Sequence, residues 1–485
     1  MKNHKLFING KWVDSSAKKR FVSLNPATEK PIASFEQASV HDVQKAIDAA
    51  EAAFPVWKKT PAPKRGEILL RFAGLLRKHK EDLAKLVATE MGKVLPEARG
   101  DVQEAIDCAE YFAGEGRRLF GHTTPSESKD KFAMTVRMPL GVCSLITPWN
   151  FPIAIPSWKI MPALVCGNTV VFKPSSDTPL CATRFVELLT QAGVPHGVVN
   201  LVTGSGEDIG LELVSSKKVR GVSFTGSKKT GEWIVKNAGI KKVGLELGGK
   251  NAIIIMDDAD LDLALKGVIW GAFGTTGQRC TAASRVIVSE KIQKEFEKML
   301  VEKASSLRLG PGTSFSTDVG PLINRAAQQK THFYTEVGLS EGAKLLLGGK
   351  AGKGKGFFYE PTIFSDVSPK MRIAREEIFG PVLSVISARD LEEAIKIANS
   401  IEYGLSSSIY TRDISSAFRA IEDIEAGITY VNASTIGAEV HLPFGGVKGT
   451  GNGTREAGWT GIDEFTEIKA VYIDYSGKLQ RAQID

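Results

Sequence analysis

Apolar residues follow two different spacings along this chain, and the spacing changes partway through. In HDVQKAIDAAEAAFPVW, KRGEILLRFAGLLRKHKEDLAKLVATEMG and PEARGDVQEAIDCAEYFAGEG they recur every three to four positions, which predicts amphipathic helices. The last of these ends in glycines, a helix stop. Ahead of them, KLFING and KWVD read as short strands, followed by a turn at Asn25–Lys30 (NPATEK). From Val136 the texture becomes alternating strand and helix. GVCSLITPWN is followed by PSWKIMPALVCG, NTVVFKPS by TPLCATRFVELLTQAG, and, after VVNLVTG, RGVSFTG by SKKTGEWIVKNAG. Strands separated by helices of roughly 10–15 residues predict parallel βαβ units. A second series opens at NAIIIMDDAD and runs through SRVIVSEKIQKEFEKMLVEKA and GPVLSVISARDLEEAIKIANS. The expected fold class is α/β, with two α/β lobes in tandem. Two pieces fit neither lobe: Gly121–Pro139, polar and then strand-like, and AVYIDYS near the end, a β candidate without an obvious partner.

Composition narrows the class without naming the chemistry. An apolar share of 42% and a charged share of 24% are those of a soluble globular enzyme, and 485 residues exceed one compact core. The net charge of +7 is small for this length, with basic residues interleaved among acidic ones. That argues against a nucleic-acid surface and is compatible with anionic small molecules. The start, MKNHKLFINGKWVDSS, lacks the apolar core of a signal peptide, and no apolar run reaches the roughly 18–20 residues of a membrane span. A cytoplasmic location without membrane attachment is expected. Cys108, Cys143, Cys166, Cys181 and Cys280 are odd in number and widely spaced, and the histidines are scattered singly. Neither a disulfide framework nor a metal site is expected.

Two glycine-bearing turns compete for a dinucleotide. TGSGEDIG at 203–210 follows a strand, but after Gly204 and Gly206 the third glycine is Gly210, one residue late for GxGxxG. It reads as a turn opening a helix. FTGSKKTG at 224–231 ends a strand at a glycine and places Ser227 to cap the next helix. Free N–H groups there suit a phosphate, while plain capping explains the same residues. Lys173, at the end of NTVVFK, stands at the C-terminal edge of a strand, where open α/β sheets bind ligands. It is placed to bond ribose hydroxyls or a phosphate, or is simply solvated. No acidic residue that would repel a 2′-phosphate is evident, and Ser176 beside Lys173 leaves NADP as admissible as NAD.

Among the cysteines, Cys108 and Cys181 fall within helical periodicities and Cys143 and Cys166 flank strand cores, the positions of inert fillers. Cys280 is different, because FGTTGQRCTAASR surrounds it with small residues that let a substrate approach. A thiolate attacking a carbonyl needs an activated sulfur, an oxyanion stabiliser and, for hydrolysis, a base for water. No histidine neighbours Cys280, so a carboxylate is the next candidate. Glu246 in GLELGGKN stands between Leu245 and Leu247, apolar surroundings that raise a carboxyl pKa. The Cys280 backbone N–H and the side-chain amide of Asn150 in PWNFP are the oxyanion candidates.

Together these stretches resemble a family. ITPWNFP, KPSSDTP, FTGSKKTG, LELGGKN, FGTTGQRC, EEIFGP and PFGGVKGTG, in this order, are similar to the NAD(P)-dependent aldehyde dehydrogenase superfamily over essentially the whole chain. The spacing matches too: one glutamate lies 34 residues before the cysteine, and that of EEIFGP lies 97 after it. The resemblance implies Cys280 as nucleophile, Glu246 as general base and Asn150 as oxyanion donor. It implies Lys173 and Ser176 at the adenosine ribose, and Gly226, Ser227 and Gly231 around the pyrophosphate. Glu377 would hold the nicotinamide ribose and Phe379 would pack beside its ring, with Ile146, Thr147, Pro148, Trp149 and Leu247 lining the cleft. It also implies an NAD(P)-binding lobe at 1–119 and 140–248, a catalytic lobe at 249–455, and a small β oligomerisation element at 120–139 and 464–485. The strands of that element would pair across subunits of a homodimer or homotetramer.

Substrate enters through the same resemblance. DVQEAIDCAEYFAGEGRR, PWNFPIAIPSWKIMPAL and STIGAEVHLPFGG look most like dehydrogenases of acidic ω-semialdehydes, with 2-oxoglutarate, aminoadipate and succinate semialdehydes the leading candidates. A carboxylate tail calls for an anchor; Arg118, Arg279 and Arg285 are candidates, each also readable as a structural ion-pair residue. A broad aliphatic or aromatic aldehyde dehydrogenase is the alternative. A CoA-acylating enzyme would lack the LELGG glutamate and a silent structural relative would have lost the cysteine; both residues are present.

Overall fold

The strands of the two predicted series land in two separate seven-stranded sheets in the computed structural model, which describes residues 1–481, 483 and 484. The first sheet runs, edge to edge, Lys242–Glu246, Val219–Thr225, Val142–Ile146, Thr169–Lys173, Val199–Leu201, Leu6–Ile8 and Lys11–Val13. Its first five strands are parallel; the N-terminal hairpin adds two antiparallel ones at the far edge. Thr169–Lys173 is buried along its whole length, as a parallel strand covered by helices on both faces must be. One covering helix, Ala154–Cys166, is buried at every residue but Ile155, and apart from Ser157 and Lys159 it is apolar all round.

The second sheet runs Lys344–Leu347, Thr362–Ser365, Val382–Ala388, Ala283–Ser289, Asn251–Ile255, Ser406–Tyr410 and Ile428–Val431. Only its first edge strand is antiparallel. The predicted helices form at Val40–Trp57, Ala62–Lys78, Lys80–Glu90 and Leu95–Glu115. The long periodic stretch from Lys64 to Gly92 is thus two helices, broken at His79, whose backbone (φ −104°, ψ 16°) leaves the helical well. The late glycine of TGSGEDIG behaves as expected of a helix opening. Ser205 accepts from the Glu207 and Asp208 N–H groups and caps the helix Gly206–Ser215.

One expectation is corrected here. The two orphan β segments, expected to pair across subunits, pair with each other within one chain, with Thr466–Asp474 at the edge of their sheet. Thr466–Asp474 pairs antiparallel with Lys131–Pro139 over nine residues, and Thr123–Pro125 adds a third strand. Backbone pairing is non-local, so the partner was invisible from either segment alone. Among the described residues no helix is long and apolar enough to cross a membrane, and no group of three or more His, Cys, Asp or Glu gathers to hold a metal.

Candidate active site

Cys280 follows a strained turn. After the helix Leu261–Phe273 the chain makes a tight turn at Gly274–Gly277 in which Thr275 (φ 50°) and Thr276 (φ 58°) are left-handed without being glycine. That conformation costs roughly 1–2 kcal/mol per residue and persists only where neighbours over-determine it. Glu97, on the helix Leu95–Glu115, supplies the restraint. Its carboxylate accepts from the Thr275 N–H at 2.9 Å and Oγ1 at 3.1 Å, and pairs with Arg279 Nη2 at 3.2 Å. Arg279 Nε in turn donates to Thr275 Oγ1 at 2.9 Å. Beyond the sulfur, the Cys280 carbonyl accepts from Asn251 Nδ2 at 2.7 Å.

Two glycines bring the remaining groups close. A Cβ on Gly248 would lie 2.4 Å from a Glu377 oxygen, and one on Gly249 2.6 Å from the Cys280 carbonyl. The GG of LELGGKN is therefore the seam between the two sheets, where the end of the Lys242–Glu246 strand meets the nucleophile's turn. The Gly249 N–H donates to Glu377 at 3.0 Å.

Cys108, Cys143, Cys166 and Cys181 are fully buried and free, whereas Cys280 is partly exposed. Burial, and then the charges of Glu246 and Glu377, push the Cys280 thiol up to about 12, while a backbone hydrogen bond from Thr281 favours the thiolate. Without ligand the sulfur is a thiol at neutral pH. Glu246 is buried and neither carboxyl oxygen has a partner among the described residues. Burial, then the neighbouring Glu456, raise it well above the usual carboxylate range. Glu456 is itself paired with Lys159, which also donates to Ser223 Oγ at 2.8 Å. Asn150 donates through Nδ2 to the Gln278 carbonyl at 3.1 Å, and its Oδ1 is buried without a partner. The Cys280 N–H has no acceptor among the described residues.

Cys280 stands between two cavities. One, about 140 Å³, is lined by Glu246, Glu456, Glu104, Arg279, Thr281, Phe151, Ile155, Trp158, Trp270, Ile436 and Phe444. The other, about 220 Å³, is lined by Pro148, Trp149, Asn150, Gly226, Ser227, Gly248, Lys330, Glu377, Ile378 and Phe379. Cys280, Thr225 and Leu247 border both. Trp149 and Phe379 meet edge to face at 5.5 Å, and Phe379 is itself left-handed (φ 62°).

Of the remaining sequence candidates, Ile146, Thr147, Lys173, Ser176 and Gly231 line neither cavity. Ile146 pairs with Lys173 across adjacent strands, and the Thr147 N–H donates to the Lys173 carbonyl at 3.1 Å. Lys173 is buried, which overturns the solvated reading; burial pushes its amine down to about 8 and Nζ donates to the Pro174 carbonyl at 3.0 Å. Ser176 Oγ donates to the Gly204 carbonyl at 3.0 Å. Ser227 caps Lys228–Ala238 by accepting from the Thr230 N–H, and Gly231 is buried in that helix. Of the three arginines only Arg279 reaches a cavity. Arg118 pairs with Glu115, and Arg285 spends its guanidinium on the carbonyls of Lys250, Ile397 and Ala398. Sequence reasoning passed over Lys159, Glu456, Glu104 and Lys330. A lysine inside the apolar run PSWKIMPALVCG was the one signal available, since a buried cation demands a partner.

Comparison with known proteins gives this geometry its context. The model of the "Aldehyde dehydrogenase family" matches residues 12–471. The alpha-ketoglutaric semialdehyde dehydrogenase of Bacillus subtilis is 42% identical over 474 residues, covering 96% of this chain and 97% of that one. Aldehyde dehydrogenase 1A1 of Rattus norvegicus is also 42% identical, over 481 residues, 98% of this chain and 95% of that one. The crystal structure of betaine aldehyde dehydrogenase from Staphylococcus aureus in complex with NAD+ superposes with a TM-score of 0.96 at 35% identity, over 98% of this chain and 95% of that one. With a single partly exposed cysteine set between two cavities and a match over nearly its full length, the chain belongs to the aldehyde dehydrogenase family.

Proposed function

We propose that the protein oxidises an acidic ω-semialdehyde, 2-oxoglutarate semialdehyde foremost, to the carboxylate with NAD or NADP. The observation that carries the reaction is the place of Cys280 between the two cavities, with an unpartnered Glu246 on one side. The other cavity suits a nicotinamide dinucleotide. It offers the rings of Trp149 and Phe379, the Glu377 carboxylate for ribose hydroxyls, and buried oxygens without partners on Thr225 and Asn150. The helix opening at Ser227, with Gly226 before it and Gly231 within it, suits the diphosphate. Lys173 and Ser176, beside Ile146 and Thr147, are assigned the adenosine end. A nicotinamide dinucleotide held by these residues would supply the hydride acceptor for oxidation of the aldehyde carbon.

The chain's own residues perform the remaining steps. Cys280 Sγ, its proton released to solvent, bonds the aldehyde carbon, and the Cys280 N–H and Asn150 Nδ2 are the donors available to the resulting oxyanion. Once the hydride has left, the carbon is a thioester on Cys280. Glu246 takes a proton from water, the water oxygen adds to the thioester carbon, and the Cys280 sulfur leaves with the carboxylate product free.

The substrate class rests on the smaller cavity. Phe151, Trp158 and Phe444 close it, and its wall carries the guanidinium of Arg279. The Bacillus subtilis relative's name adds an acidic semialdehyde; the rat relative, equally similar, and the aromatic walls favour a neutral aldehyde as the second reading. Reduced-cofactor formation with 2-oxoglutarate semialdehyde, succinate semialdehyde, pentanal and benzaldehyde, with NAD or NADP and with or without CoA, decides between them. The acids should win in kcat/KM by at least about tenfold, with no CoA requirement. Faster oxidation of pentanal would overturn the substrate class, and CoA dependence would overturn the hydrolytic step. In solution the protein should be a cytoplasmic homodimer or homotetramer.

A further inference from the structure

The wall of the smaller cavity holds more polar chemistry than attack and hydrolysis use. Arg279 is mostly buried, and its Nε and Nη2 are committed to Thr275 and Glu97. Nη1 makes no hydrogen bond among the described residues, although the residue lines the cavity. The guanidinium also lies over the Phe151 ring, 5.5 Å from its centre, so its plane is held by three neighbours on separate elements. Trp158, on the same cavity, is a buried indole whose Nε1–H has no acceptor among the described residues. Its ring is fixed edge to face against Phe444 at 4.8 Å. A buried donor without a partner costs stability unless a ligand supplies the acceptor.

We propose that Arg279 and Trp158 form the subsite that holds the distal carboxylate of the substrate and thereby set the preference for acidic over neutral aldehydes. The proposal rests on the acidic-semialdehyde reading above and gives it two residues. Arginine's planar fork suits a carboxylate, and one free edge remains after the Glu97 pair is made. The other carboxyl groups on this wall are Glu246, Glu456 and Glu104, and burial together with Glu456 disfavours the charged form of Glu246. Glu456 is neutralised by Lys159. Glu104 is pushed up to about 8 by burial and by the charge of Asp101, with Lys93 and Arg279 acting the other way, and is therefore protonated at neutral pH. Lys93 is taken by Asp101 at 3.0 Å, which leaves Arg279 as the free cationic edge beside the nucleophile. Because Arg279 directly precedes Cys280, the anchor and the reacting sulfur share one rigid turn, so a short dicarbonyl acid bound by its tail is aligned at its aldehyde end.

The test is a kcat and KM split with 2-oxoglutarate semialdehyde and pentanal, which share a five-carbon chain and differ in the tail. Arg279→Gln should raise KM for the acid about 30- to 100-fold relative to KM for pentanal, while any loss of kcat from the released turn falls on both substrates alike. Arg279→Lys should recover part of the loss, and Trp158→Phe, which keeps the packing on Phe444, should raise the acid's KM about fivefold only. Glu97→Gln controls for the broken ion pair: it weakens the turn for both substrates and keeps the acid-to-pentanal ratio. Equal losses on acid and pentanal in Arg279→Gln would overturn the anchor, and so would an undiminished ratio. If the wild-type enzyme itself handles pentanal as well as the acid, the substrate reading falls first; if it prefers the acid and Arg279→Gln still does, only the anchor falls.

Discussion

Glu246 is the residue at which folding and chemistry pull apart. Its two oxygens are buried without partners beside another carboxylate, an arrangement that disfavours the charged form. As the base for water it must nevertheless be ionised. The pH dependence follows from that sign: the carboxyl is protonated below its raised pKa, so kcat should climb as pH rises above the ordinary carboxylate range. A flat profile there would remove Glu246 from the role. Glu246→Gln should keep a burst of reduced cofactor equal to the sites and lower steady-state turnover by about 10²- to 10⁴-fold, read by stopped flow. Its neighbour pair gives a second prediction. Lys159 and Glu456 are both buried, so Lys159→Met strands a carboxylate in the interior. Unfolding by urea should show a loss of about 3–5 kcal/mol, and Lys159→Met with Glu456→Leu should regain most of it.

At the scale of elements, the turn before Cys280 depends on a helix far away in sequence. Glu97 holds Thr275 by its N–H and hydroxyl and holds Arg279 by charge, across two left-handed residues. Glu97→Ala should cost about 2 kcal/mol and lower kcat more than it raises the KM of the cofactor, because the nucleophile and not the cofactor cavity is released. Unchanged kcat with the same stability loss would make Glu97 a purely structural staple. This coupling also marks what sequence reading reaches. Helices and strands were legible because their apolar periods are local, and Cys280 and Glu246 stood out because small and apolar neighbours are an unusual setting for a thiol and a carboxylate. The Glu97–Thr275 contact was not legible, since it joins two segments through a backbone conformation that threonine seldom adopts. Lys173 was legible as a strand-edge residue but not as a buried one, because burial there comes from the fold around the strand. The break at His79 was missed for a related reason: the apolar period continues through it, and only the backbone changes direction.

For the whole molecule, the three-stranded sheet raises a question that one chain does not answer by itself. In register, Ile473 lies opposite Phe132, Val471 opposite Met134, Lys469 opposite Val136 and Glu467 opposite Met138, so Phe132, Met134, Val136, Met138, Val471 and Ile473 share a face. Phe132, Met138 and Ile473 are 43%, 40% and 48% exposed. Most of Thr466–Asp474 is exposed on both faces, yet a sheet this small needs a buried apolar face to hold. An exposed patch of this kind marks a protein contact, and a second copy of the chain is the occupant that the proposed homo-oligomer would place there. Sequence reading placed this element in subunit contact by pairing its strands between chains; with those strands paired inside the chain, the apolar face and the outer edge of Thr466–Asp474 are both left open to that contact. Charging that face is then the direct experiment. Phe132→Asp with Ile473→Asp should shift the mass measured by light scattering toward the 52.4 kDa of one chain, while the far-ultraviolet spectrum of the α/β body persists. An assembly that keeps its mass after both charges are introduced would require its interface to be built at that edge or on the two large sheets and their helices.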